Sequence, residues 1–144
     1  MAQIWKLPTE GGAPQPVTKR GGISPQESPD GRLVYYSKRP GGSEMPIWKV
    51  PVEGGDEILA LDKSSHWERW TLWRDNLIYI NPEGRTGPTI EMFDLRSRAL
   101  RELVALGKEN PPDSGLSVSP DGQWILYSRD DLGGCDLLLI EGFH

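Results

Sequence analysis

The residues best equipped for chemistry in this 144-residue sequence cluster at 66–73. His66-Trp67-Glu68-Arg69-Trp70-Thr71-Leu72-Trp73 sets an imidazole, a carboxylate and a guanidinium among three indoles. Such groups can grip a peptide or a small polar ligand, the rings supplying apolar area and the charges direction. His66, Trp67, Glu68, Arg69 and Trp70 are therefore the candidate ligand contacts. The same residues have a plainer use, in which indoles fill the space between packed sheets and the charges face water. Other chemistry is thin. Cys135, the one cysteine, follows Gly133-Gly134 with no adjacent His or basic residue to favour its thiolate, which suits a structural position. Asp130-Asp131-Leu132-Gly133-Gly134 reads as a surface loop rather than a calcium cradle. His66 and His144 with a single cysteine compose no zinc-ligand spacing. A Gly-x-Ser-x-Gly elbow, a Gly-rich phosphate loop, His-Glu-x-x-His and Cys-x-x-Cys are all missing from the sequence. The expectation is a protein that is not an enzyme and takes no metal or cofactor.

Charge narrows the partners. Sixteen Lys+Arg against 21 Asp+Glu leave a net charge of −5, and the basic residues stand singly or in pairs rather than in a stripe. That argues against nucleic-acid binding. No apolar run approaches the roughly 18 residues of a membrane span, and Met1-Ala2-Gln3-Ile4-Trp5-Lys6 lacks a hydrophobic signal stretch. The segment is expected to make no membrane contact, and these residues state no localisation.

What must position the 66–73 cluster emerges from the 17 glycines and 13 prolines, because they recur at an interval. Ile4-Trp5-Lys6-Leu7-Pro8-Thr9-Glu10-Gly11-Gly12 returns as Ile47-Trp48-Lys49-Val50-Pro51-Val52-Glu53-Gly54-Gly55, differing only where Leu7 and Thr9 become Val50 and Val52. Degraded copies follow at Ile90-Glu91-Met92-Phe93-Asp94-Leu95 and at Asp136-Leu137-Leu138-Leu139-Ile140-Glu141-Gly142. In parallel, Ser28-Pro29-Asp30-Gly31 precedes Arg32-Leu33-Val34-Tyr35-Tyr36-Ser37, and Ser119-Pro120-Asp121-Gly122 precedes Gln123-Trp124-Ile125-Leu126-Tyr127-Ser128. Arg74-Asp75-Asn76 before Leu77-Ile78-Tyr79-Ile80 is the same turn worn down.

The stretches between these markers are short, rich in β-branched and aromatic residues, and bounded by Gly, Pro, Asn or Asp, which predicts strands joined by tight turns. In Ser-Pro-Asp-Gly, Pro presets φ, Asp bonds its own backbone, and Gly takes the left-handed conformation. Arg98 to Leu106 has helix propensity, yet it fills the repeat slot of Asp56 to Leu61, so it is expected to be a strand. A repeat of about 43 residues holding four strands is the size of a β-propeller blade. The predicted fold is all-β. Residues 1–21 supply the third and outer strands of a first partial blade, 22–65 a second blade, 66–114 a third and 115–144 a partial last blade, together one propeller segment. Trp5 and Trp48 are expected between blades, and Tyr36, Tyr79 and Tyr127 in the core with hydroxyls needing partners. The 66–73 cluster falls on an innermost strand, the kind that lines a propeller's central channel.

On these turns and strands the sequence resembles the TolB-like propeller family, whose WD-like repeats carry a Ser-Pro-Asp-Gly turn, an apolar strand ending in an aromatic plus Ser, then an Ile-Trp or Asp-Leu strand ending in Gly-Gly. Ser28 to Gly55 and Ser119 to Ile140 fit well, and the middle blade loosely. The closing run is similar to the C-terminal propeller of membrane-anchored winged-helix regulators. The resemblance implies a periplasmic or otherwise extracytoplasmic setting and a non-enzymatic scaffold for protein or ligand contact. The alternative it leaves open is the substrate-gating propeller of a prolyl oligopeptidase or dipeptidyl peptidase-like serine peptidase, the catalytic domain being absent here. Because rings close with roughly four to eight blades, the chain is expected to be a fragment that self-associates, a homodimer completing a six-bladed ring, with another protein or a peptide as a further partner.

Overall fold

The computed structural model describes residues 1–38, 45–62, 69–107 and 115–129, together with the strand backbone of 130–131 and 134–141. Thirteen strands are found among them. β1 (Trp5–Lys6) pairs with β2 (Gln15–Pro16). β3 (Ile23–Glu27), β4 (Leu33–Ser37), β5 (Ile47–Pro51) and β6 (Ile58–Leu61) form a second sheet in chain order. β7 (Trp70–Trp73), β8 (Asn76–Asn81), β9 (Thr89–Asp94) and β10 (Leu100–Ala105) form a third, and β11 (Leu116–Val118), β12 (Trp124–Asp131) and β13 (Gly134–Glu141) a fourth. Every pairing is antiparallel between chain neighbours, the up-and-down order of propeller blades. Leu100–Ala105 is a strand, so its place in the repeat prevails over its helix propensity.

The turns form as their residues dictate. Ser28 Oγ donates to Asp30 Oδ1 at 2.6 Å, and the same carboxylate accepts the Arg32 N–H at 3.1 Å. These two bonds, the Ser28 hydroxyl first, hold the Asp30 carboxyl below its ordinary range. Ser119, Asp121 and Gln123 repeat the arrangement. Gly31 at φ 70° and Gly122 at φ 77° occupy the left-handed slot. In the third sheet that slot belongs to Arg74, at φ 53° without the freedom of glycine. Its guanidinium lies 4.3 Å from the Trp73 ring centroid, a cation–π contact that offsets part of the strain.

Two compact units result, Met1–Lys63 and Ser64–His144. In the first, Ile4 and Val17, which flank β1 and β2, pack on Val34, Tyr36 and Val50 of the second sheet, with Trp48 and Val52 at the margin. In the second, Ile78, Ile80 and Ile90 of the third sheet pack on Leu116, Ile125 and Tyr127 of the fourth. The period-2 alternation of strands turns these side chains to one face. Each fully buried Ile or Val contributes roughly 1.5–3 kcal/mol. Gly22 enters β3 where a Cβ would stand 2.8 Å from both Ile4 Cδ1 and Tyr36 Cδ2, so only glycine lets the first sheet close on the second.

One expected packing residue is displaced. Trp48 is half-buried against the first core, but Trp5 is 57% exposed. The two-stranded sheet turns Ile4 inward, and strand alternation then turns Trp5 to the opposite, open face.

Candidate functional site: polar clusters on the blade faces

Of the sequence-derived candidates, His66, Trp67 and Glu68 lie outside the described residues. Arg69 is half-buried and its carbonyl accepts the Ile80 N–H at 2.9 Å. Trp70 opens β7 opposite Tyr79 and is 2% exposed, so its ring lies inside the protein. The side chains of Asp130, Asp131 and Cys135 are outside the described residues.

Two clusters missed at the sequence level form around the recurring tyrosines. Tyr36 and Tyr79 hold one repeat position, and so do Trp48 and Glu91, their partners across the β4–β5 and β8–β9 pairings. In the second sheet Lys38, just beyond β4, lies 4.6 Å from the Trp48 ring centroid and donates to Glu57 Oε2 at 2.5 Å. The side chains of Lys38 and Glu57 are only 18% and 8% exposed. Glu57 Oε1 accepts the backbone N–H groups of Lys19 and Arg20 at 2.8 and 3.2 Å, tying the second sheet to the chain that leaves the first. Burial would raise the Glu57 carboxyl, but the Lys38 ammonium and these two N–H groups outweigh it and hold the group below its ordinary value. The Tyr36 hydroxyl is buried without a hydrogen bond, and burial followed by the nearby Glu57 charge pushes its ionisation above the ordinary tyrosine range.

In the third sheet a different set occupies the same place. Glu91, 6% exposed, accepts the Tyr79 hydroxyl at 2.5 Å on Oε2. Its Oε1 accepts Asn81 Nδ2 at 2.7 Å and Thr89 Oγ1 at 3.2 Å. The carboxylate is thus buried on neutral donors, which satisfy it by hydrogen bonds rather than by an ion pair. A signal for both clusters existed in the repeat: two residues past each tyrosine stands a polar side chain, Lys38, Asn81 or Arg129.

Neither cluster pairs a hydroxyl or thiol nucleophile with a histidine base, and the carboxylate of each is bonded to groups that position strands. Among the described residues no group of three or more His, Cys, Asp or Glu could hold a metal ion.

No protein-family profile and no curated protein matches the chain. Solved structures do. TolB from Acinetobacter baumannii superposes with a TM-score of 0.69 at 20% identity, over 90% of this chain and 32% of its own. A candidate TolB from Agrobacterium tumefaciens gives 0.74 at 20% identity, over 97% and 51%. An oligogalacturonate lyase solved in complex with manganese gives 0.66 at 16% identity, over 97% and 41%. With the blade-like sheets, these likenesses establish an all-β propeller fold. That fold is similar to the propellers of the TolB structures, and the chain spans about a third to about half of the structures it matches.

Proposed function

We propose that this propeller segment is a non-catalytic scaffold for protein or ligand contact, working outside the cytoplasm as its TolB-like fold suggests, with a second copy of itself as its first partner. The observation that carries this reading is where the reactive side chains go. Lys38 and Glu57 join one blade to the chain of the blade before it. Tyr79, Asn81 and Thr89 converge on Glu91 inside the next. Groups engaged in this way hold strands, and recognition falls to the surfaces and loops. Fold alone does not decide activity, since a lyase shares the architecture. The test is turnover: the purified chain is incubated with oligogalacturonate plus manganese and, separately, with a fluorogenic prolyl dipeptide. No product above the protein-free control is expected. A rate proportional to chain concentration with either substrate overturns the reading.

A further inference from the structure

The outer edges of the two four-stranded sheets are built differently. Each last strand, β6 in the second sheet and β10 in the third, has no strand beyond it in the sheet order, and such an edge offers backbone N–H and C=O groups to any extended segment that can pair with them. Both strands carry a bulge at the same repeat position, Ala60 against β5 and Leu103 against β9. Beside it the third sheet sets Arg101 and Glu102, both exposed, and charge on an edge strand discourages further pairing. The second sheet has Ile58 and Leu59 there, 54% and 42% exposed. This edge belongs to a complete four-stranded sheet and owes nothing to the ends of the chain.

Two carboxylates bracket the apolar stretch. Asp56 precedes β6 and Asp62 follows it, both exposed and neither in an ion pair among the described residues. Six residues of extended chain set them about 20 Å apart. A second copy fits this edge badly. Antiparallel pairing of β6 on itself, centred on Leu59, would place Asp56 of each copy opposite Asp62 of the other, and like charges directly opposite are destabilising. What complements the edge is a strand with uncharged β-forming residues in its middle and a cation at each end.

We infer that β6 is a strand-addition site, taking an extended segment of another protein that has an uncharged β-forming centre and a Lys or Arg at each end. This deepens the scaffold reading above and rests on its claim of protein contact. Backbone hydrogen bonds to the open edge supply the affinity, and Ile58 and Leu59, on opposite faces by strand alternation, each pack on a side chain of the added strand. Asp56 and Asp62 fix its register through the terminal cations.

The experiment is fluorescence anisotropy of a fluorescein-labelled Lys-Thr-Val-Thr-Val-Thr-Lys amide titrated with the full chain. Saturable binding is expected, weakened about tenfold when both peptide lysines are replaced by glutamate. Ile58→Arg with Leu59→Glu puts the third sheet's residues on β6 and should weaken the lysine peptide by a similar factor while keeping the circular dichroism spectrum of the parent. Asp56→Lys with Asp62→Lys should reverse the preference, so that the glutamate peptide binds the tighter, a result that loss of folding does not produce. Absence of saturable binding, binding that the Ile58 and Leu59 changes leave intact, or a preference that does not reverse overturns the site. So does an unmodified chain at twice 16.1 kDa on a sizing column that falls to 16.1 kDa with Ile58→Arg and Leu59→Glu, since a second copy would then hold the edge. Each of these outcomes leaves the scaffold reading standing, because that reading fails by turnover in the assay above.

Discussion

The second and third sheets have the same four-stranded order and the same inward tyrosine, yet they bury opposite kinds of polar chemistry behind it. Around Tyr36 stand Lys38, Trp48 and Glu57. Around Tyr79 the equivalent positions hold Asn81, Glu91 and Leu100, so the anion has moved from the outer strand's approach to the third strand, and the cation is gone. The turns differ in parallel. At the matching turns, Gly31 and then Gly54 and Gly55 supply positive φ in the second sheet, where Arg74 and then Arg98 do so in the third. Each of those arginines lies over an aromatic ring, Trp73 at 4.3 Å and Phe93 at 5.2 Å. The repeat thus fixes backbone conformation and the large apolar positions. It leaves the charge pattern free, provided the buried carboxylate of each sheet finds donors.

The comparison can be broken most severely at a turn. Gly122→Val should cost about 3 kcal/mol or unfold the chain, because it puts a branched Cβ at φ 77° and drives it into the Trp73 ring. Gly31→Val carries the backbone strain alone, since its nearest neighbour is Glu27 Oε1 at 3.4 Å, and should cost about 1–2 kcal/mol. Urea midpoints of the two variants read the difference, and equal losses would mean that Trp73 does not pack on the turn.

Next in size is the charged cluster. Lys38→Met leaves Glu57 with two N–H donors but no cation and should cost about 2 kcal/mol at neutral pH. Its sign with pH follows from the carboxyl's depressed value. The stability it contributes is full above the ordinary glutamate range, about 4.3, and is lost as pH falls through the lower value of the folded state. Acid titration of the unfolding midpoint should therefore fall less steeply below that range in Lys38→Met than in the parent. An unchanged slope would dissociate Lys38 from Glu57.

Smaller effects separate the third sheet. Glu91→Gln keeps one acceptor oxygen for donors that now serve two and should cost about 1 kcal/mol. Arg74→Gly relieves the left-handed strain but forfeits the stacking on Trp73, so its unfolding free energy from urea titration should lie within about 0.5 kcal/mol of the parent's. A large gain would show that the stacking offsets little.

How far the sequence carries this architecture depends on what recurs in it. Ile-Trp-Lys at 4–6 and 47–49, the Ser-Pro-Asp-Gly turns and the spaced tyrosines make the propeller legible, because backbone conformation and core volume are demanded anew in every blade. Leu100–Ala105 shows the strength of that demand, being a strand against its own propensity. Of the polar clusters only the recurring polar residue two past each tyrosine was legible; their partners were not, because Lys38–Glu57 and Tyr79–Glu91 are solved differently in each blade and join residues 19 and 12 apart. Trp5 was misplaced for a related reason. Its repeat position defines the face it occupies, and only the neighbouring sheet decides whether that face is covered. The 66–73 cluster drew attention by composition, while the buried acid Glu91 stood unremarked inside a degraded repeat.

The most direct test of whether the reactive side chains are engaged in holding blades is a double-mutant cycle on Lys38 and Glu57, using Lys38→Met, Glu57→Gln and the pair, with unfolding free energies from urea titration. A favourable coupling of about 1–3 kcal/mol at neutral pH is expected. A coupling indistinguishable from zero would contradict that role and leave both groups free for chemistry of another kind.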